Sequence, residues 1–186
     1  MKARSTYAMA FLVTLVGCSA GTSVGPEQGS QPGAGQPATR LTSEEYSGAV
    51  SDLFGLPPSS QPVALVGASA SATQSADDMA LSDYDSAVAI ATMATSSSHL
   101  GTILQAASCS APQGNSGIAG SACAAAFVRE IAPRAFQAGP VDAPTLAGLN
   151  GVYDAVAVKQ GAGFSGGIAA VIEEILQSPY FLYRAH

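Results

Sequence analysis

Residues 41–56 read LTSEEYSGAVSDLFGL, and the order of residue types in that stretch predicts a helix with both ends marked. Thr42-Ser43-Glu44-Glu45 is a capping box, in which the Thr42 hydroxyl accepts from the Glu45 amide while the Glu45 carboxylate reaches back. Leu41 before the cap and Tyr46 after it stand where a hydrophobic staple packs. Tyr46, Ala49, Val50, Leu53 and Phe54 then recur at helical spacing along one face, and Gly55 with Pro57-Pro58 stops the run. A helix with one apolar face needs other elements to bury it.

Further helices are legible downstream. Residues 58–76 are Ser, Ala, Pro and Gln around a short apolar patch at 63–66, the composition of a long loop. Helical spacing returns over residues 80–105 through Leu81, Tyr84, Val88 and Ala91, with a break expected at 96–98. Asp77, Asp78, Asp83 and Asp85 precede or open that helix, where acids favour the positive end of its dipole. A calcium site is the rival reading, but the EF-hand spacing and its glycine are absent. Cys123 is expected to open a helix through Phe127, Ile131 and Phe136, interrupted at Pro133. Asp142 caps another that begins near Pro144, with Leu146, Leu149, Tyr153 and Val156 inward, and the last runs from Ser165 through Ile168, Ile172, Ile175 and Leu176 to Pro179. The expected fold is all-α, a small bundle of about five helices over residues 41–186 behind a disordered N-terminal tether.

Composition bounds the partners. The chain has 186 residues, enough for one domain with attachments. Its 47% hydrophobic share comes largely from Ala and is accompanied by 20 Gly and no Trp, so side-chain volume for a core is low and modest stability is expected. The formal net charge is -6. Binding nucleic acid needs clustered Lys and Arg, and Arg129, Arg134, Lys159 and Arg184 are spread among acids, so no nucleic acid partner is expected. An acidic surface is not drawn to anionic lipid, so membrane attachment has to be covalent.

The N-terminus supplies the means. Lys2 and Arg4 precede the apolar run at residues 8–16, followed by Leu15-Val16-Gly17-Cys18, the order of a secretory signal. The run is shorter than the roughly 20 apolar residues that span a bilayer. A Cys directly after Leu-Val-Gly resembles the bacterial lipobox. That resemblance implies a signal peptide at residues 1–17, acylation of Cys18, and a lipoprotein of the cell envelope outside the cytoplasm. Ser19 after the Cys favours the outer membrane. Several acyl chains, at about 0.8 kcal/mol per buried methylene, hold a protein stably where one does not. Residues 18–40 are then a tether of Gly, Ser, Pro and Gln, too poor in apolar bulk to fold and spanning about 26 Å.

Cys109 and Cys123 bracket a Gly- and Ser-rich loop. With Cys18 taken by lipid in an oxidising compartment, the remaining two form an even set and a disulfide is expected. No metal or cofactor is expected. His99 and His186 are the only histidines, too few for a zinc site, and C-x-x-C-H for covalent haem does not occur.

Two motifs between Gly161 and Gly167 invite catalytic readings. Gly161-Ala162-Gly163-Phe164-Ser165-Gly166 matches G-x-G-x-x-G, but Lys159 and Gln160 stand where a nucleotide-binding strand needs apolar residues, and no second strand with its acid follows. Gly163-Phe164-Ser165-Gly166-Gly167 matches the G-x-S-x-G elbow of serine hydrolases, yet only Glu173, Glu174 and His186 follow as partners and no strand series precedes. Adjacent Glu173 and Glu174 point different ways around a helix and read as a solvated face. No catalytic residue is expected.

Three stretches together resemble a known family: residues 41–56, CAAAFVREIAPRAF at 123–136, and LQSPYFLYR at 176–184. They are similar, in the same order, to the modules LTxxEYxxTVxDLLG, CxxxFIxxFGxRAFRRPL and LQSPxFLYRxE of large secreted proteins of unknown function found beside or fused to planctomycete-type cytochrome c domains. The matching positions are Leu41, Thr42, Glu45, Tyr46, Asp52, Leu53 and Gly55; Cys123, Phe127, Arg134, Ala135 and Phe136; and Ser178, Pro179, Phe181, Leu182, Tyr183 and Arg184. The resemblance implies helices at all three places, extracytoplasmic cysteines and no established activity. Pro133 replaces a Gly, Gln137-Ala138 an Arg pair and His186 a Glu, and family members run on beyond the third module, so a truncated paralogue is expected. Phe181, Leu182 and Tyr183 are expected to pack onto the helices, with Arg184 near Glu173 or Glu174. The functional expectation is a membrane-anchored interaction or structural module and not an enzyme. The alternative is an accessory subunit docking on a redox or polysaccharide-acting envelope partner, and a distant third is a nucleotide-binding enzyme or hydrolase using the turn from Gly161 to Gly167.

Overall fold

A computed structural model describes residues 39–61, 76–136 and 141–184. The leader, Cys18, most of the tether, the apolar patch at 63–66, residues 137–140 and His186 lie outside the described residues. The described part is all-α with a two-stranded ribbon, and it falls within a single compact unit, Gln36–His186.

The capping-box helix is α1, Ser43–Phe54. Thr42 accepts from the Glu45 amide at 3.2 Å, and the Glu45 carboxylate accepts from the Thr42 amide at 2.9 Å. Gly55 ends the helix at φ 67°, a conformation that glycine adopts without a Cβ clash. Leu41 and Tyr46 are both buried, as a staple requires.

The expected helix at 80–105 is two helices, α2 at Ala76–Ala94 and α3 at Leu100–Ala106. The break falls in the run Ser96-Ser97-Ser98, whose hydroxyls compete with the backbone for hydrogen bonds. The buried face of α2 differs in part from the expected one. Ala91 is buried as expected, but Leu81 and Tyr84 are 61% and 48% exposed, and Ala87, Ile90 and Ala94 are buried instead, so that three alanines let the neighbouring helix come close around Ile90. Because α2 begins at Ala76, Asp83 and Asp85 lie within it and not at its opening.

Helix α4, Gly117–Phe136, starts six residues before Cys123. The Ser116 hydroxyl caps it by accepting from the Ala119 amide at 3.2 Å, and Gly117 and Gly120 are buried in close packing that outweighs their poor helix propensity. Pro133 does not interrupt α4: it is exposed in the last turn, while Ala132, Ala135 and Phe136 around it are buried and hold the helix together.

Helix α5, Ala143–Tyr153, is capped by Asp142, which accepts from the Thr145 amide at 2.9 Å, and it continues into a π-helical turn, Asp154–Lys159. Helix α6, Gly163–Gln177, carries the most strongly apolar face, with Phe164, Ile168, Val171, Ile172, Ile175 and Leu176 buried. It packs against α2, α4 and α5 and so lies at the centre of the bundle.

A single turn, α7 at Pro179–Leu182, buries Phe181 and Leu182 and leaves Tyr183 exposed. Thr39 and Arg40, expected in the tether, form β1. It pairs antiparallel with β2, Tyr183–Arg184, in the register Thr39 with Arg184 and Arg40 with Tyr183. The Leu41 amide donates to the Leu182 carbonyl at 2.8 Å, and the rings of Tyr46 and Phe181 meet edge to face at 5.3 Å. Both ends of the folded chain are thereby clasped together.

Candidate functional site

Cys109, just past α3, and Cys123, inside α4, are brought to disulfide distance, with Cα atoms 5.4 Å apart. Between them lie the turn Gln113–Asn115 and the first turns of α4. That turn has a task the sequence did not reveal. Asn115 sits at φ 56°, and its side-chain oxygen accepts from the Ser165 amide at 2.8 Å, capping α6 from fifty residues away. Ala162, at the cap position itself, has no side-chain oxygen to offer.

This arrangement decides the glycine motifs. The turn before α6 is entered from the π-helical stretch Asp154–Lys159, so it joins helix to helix and lacks the strand that nucleotide-binding and elbow turns require. Gly161 and Gly163 take φ 74° and 73°, which explains them as turn residues. A Cβ on Gly163 would approach Asn115 to 2.6 Å, so Asn115 occupies the space in front of the helix. Ser165 is half-buried within the first turn of α6, and no exposed elbow presents it.

Two expectations about charge need correction. Glu173 is half-buried, and burial pushes its carboxyl above the usual range; Glu174 alone is a solvated side chain. Arg184 pairs with Glu45, Nη1 to Oε1 at 3.4 Å, because β2 runs beside β1 at the start of α1 and away from Glu173 and Glu174.

A polar cluster unseen in the sequence joins Arg40, Asp83 and Tyr46. Arg40 and Asp83 form an ion pair between side chains that are 13% and 14% exposed. Burial pushes the Asp83 carboxyl up, and this outweighs the downward pull of Arg40's charge and hydrogen bond. Burial, with the Asp83 charge adding to it, likewise raises the Tyr46 hydroxyl, which has no hydrogen-bond partner among the described residues. Partners 43 residues apart in sequence carry no local signal. The ion pair of Arg40 and Asp83 fastens β1 to α2. Among the described residues no three His, Cys, Asp or Glu side chains gather as metal ligands, and no helix is long and apolar enough to cross a membrane.

A cleft of about 340 Å³ lies where the ends of α4, α6 and α7 meet α5, walled by Phe136, Leu149, Val152 and Tyr180 with Glu174 among its lining residues. A smaller hollow of about 120 Å³ lies between α1, α4 and α7, beside Arg134, whose guanidinium donates to the Asp52 carbonyl at 2.9 Å.

Residues 123–185 match the family described as PSD5, Protein of unknown function (DUF1595). The matched segment is about a third of the chain and runs from Cys123 in α4 through α5, α6 and α7. It contains Cys123, the glycine turn and every wall of the larger cleft; α1, α2, α3 and Cys109 lie outside it. No curated protein and no solved structure matches the chain.

Proposed function

We propose that the chain is a bacterial lipoprotein, held outside the cytoplasm by acylated Cys18, whose helical domain works as an interaction or structural module and not as an enzyme. The observation that carries this reading is the division of the three cysteines. Two stand at disulfide distance in the folded part, as suits an oxidising compartment, and the third ends the lipobox-like Leu15-Val16-Gly17-Cys18. The acidic balance, -6 over the chain, supports covalent over electrostatic attachment. A surface anchored by lipid suits contact with other envelope components, and the cleft between α4, α5, α6 and α7 supplies a concave face for it. The outer membrane is the favoured address on the strength of Ser19.

The test is membrane fractionation with mass spectrometry of the N-terminal peptide. The expected result is a diacylated and N-acylated Cys18 as the first residue, with Cys18→Ser released by a high-salt wash. An unmodified chain in the cytosol with Met1 retained would refute the reading. The second reading, an accessory subunit on a redox or polysaccharide-acting partner, draws on the segment at residues 123–185 and its family resemblance. Co-purification of a haem protein, or retention on polysaccharide, would favour it.

A further inference from the structure

We propose that the cleft walled by α4, α5, α6 and α7 is a docking site for a partner polypeptide that inserts a lysine or arginine side chain. The proposal rests on the interaction reading above and names its surface and the chemistry of its partner. At about 340 Å³ the cleft is at the small end of the range for binding pockets, roughly 300 to 1,000 Å³, which suits one long side chain. Phe136, Leu149 and Val152 make its walls apolar, fitted to an alkyl stem and not to a polar chain. Tyr180 is 65% exposed, and its ring lies 5.8 Å from that of Phe136 at 51°, tilted instead of stacked, so aromatic surface is left for a ligand.

The charge at the cleft is specific. Glu174 is the one charged residue among the lining residues; it is exposed and has no ion-pair partner among the described residues. A cationic head resting there meets a carboxylate and an aromatic ring together, while its methylene stem covers the apolar walls. A carboxylate ligand meets Glu174 and a molecule of net charge -6, both repulsive. Tyrosine is also among the residues that most often carry binding energy at interfaces, and here it stands unburied beside a pocket.

The experiment is an amide-resolved NMR titration of the ¹⁵N-labelled full chain with short peptides centred on Lys, Arg, acetyl-Lys or Glu. The Lys and Arg peptides are expected to shift the amides of Gly148, Val152, Glu174 and Tyr180. They should bind about fivefold more tightly than the acetyl-Lys peptide, the size of an exposed ion pair with a cation–π contact. Glu174→Gln, an exposed change, should erase that preference, and Tyr180→Ala should weaken both cationic peptides. Equal affinity for Lys and acetyl-Lys, shifts elsewhere, or no shift at millimolar peptide would overturn the docking site. Photo-crosslinking in whole cells separates this failure from failure of the interaction reading. Capture through a probe at position 180 but not at the exposed Ile118, with the crosslink mapped beside a lysine or arginine of the partner and lost when that residue is changed to Gln, supports the cleft; capture at 118 alone overturns the cleft only, and capture at neither overturns the interaction reading as well.

Discussion

Gly167→Ala tests the claim that the last glycine of the 161–167 stretch serves close packing. In an exposed helix interior the change is stabilising by about 1 kcal/mol, because alanine loses less backbone entropy on folding. At Gly167 the added Cβ would stand 2.5 Å from the Ala157 Cβ and 2.6 Å from the Tyr153 ring, and one of them has to move. Ala157 is fixed by its backbone. Tyr153 is 1% exposed, donates to the Gly117 carbonyl at 2.7 Å and packs edge to face on Phe164 at 6.1 Å, so moving its ring strains a buried hydrogen bond and two helix contacts. Overpacking of this kind costs about 1–3 kcal/mol and a disturbed hydrogen bond adds about 1 kcal/mol, which together exceed the propensity gain. The net expectation is a loss of about 2 kcal/mol. With a urea slope of about 1–3 kcal/mol/M, the unfolding midpoint of the full chain, followed by far-ultraviolet circular dichroism, falls by roughly 1 M. Gly48→Ala is the internal comparison. Gly48 lies within α1 with nothing within 4 Å of its would-be Cβ, and this variant is expected to gain about 0.5–1 kcal/mol. A Gly167→Ala variant as stable as Gly48→Ala would refute the packing argument.

Two further outcomes follow from the same structure. Reduction of the Cys109–Cys123 pair, or Cys109→Ser, is expected to lower unfolding stability by about 3 kcal/mol through the larger entropy of the open loop; free thiols in non-reducing mass spectrometry of the native chain would contradict the pairing. Glu173 has its folded pKa raised by burial, so its contribution to stability is whole below the ordinary value of 4.5 and is lost as pH rises through the folded value. Glu173→Gln should therefore flatten the fall in urea midpoint above pH 4.5, and wild-type and variant curves that stay parallel there would show that the carboxyl is not desolvated.

Legibility in the sequence followed the range of the interaction concerned. The capping box at Thr42 and Glu45, the Gly55 stop and the Asp142 cap are set by residues within a few positions of one another, and each stands as read. The face of α2 was legible at Ala91 and misread at Leu81 and Tyr84, because helical spacing alone does not tell which stripe faces α6; the buried one is Ala87, Ile90, Ala91 and Ala94. The start of α4 was hidden by Gly117 and Gly120, poor helix formers whose reason for being there is Ala157, Tyr153 and Phe164 some forty residues on. The ion pair of Arg40 with Asp83, the cap from Asn115 to α6 and the cleft all depend on the third dimension and have no local signature.

The low side-chain volume noted in the composition takes on a different meaning once these contacts are in place. A core can be filled either by large side chains or by bringing backbones closer, and this chain uses both, with Phe127, Ile131 and Phe136 buried on α4 beside its small residues. Phe164, Ile168, Ile172, Ile175 and Leu176 line α6, while α2 turns Ala87, Ala91 and Ala94 inward beside Ile90, and α4 turns Gly117, Gly120, Ala124 and Ala132 inward between its larger residues. Dispersion is short-ranged, so a backbone that approaches a large side chain closely gains as much contact as a second large side chain would at greater distance. The consequence is an asymmetry in what the fold tolerates. Gly117 and Gly120 on α4 and Gly167 on α6 have no room for an added methyl group, while Gly161 and Gly163 are held by their positive φ, so packing and turn geometry together account for the glycines where the sequence imitates a phosphate-binding turn.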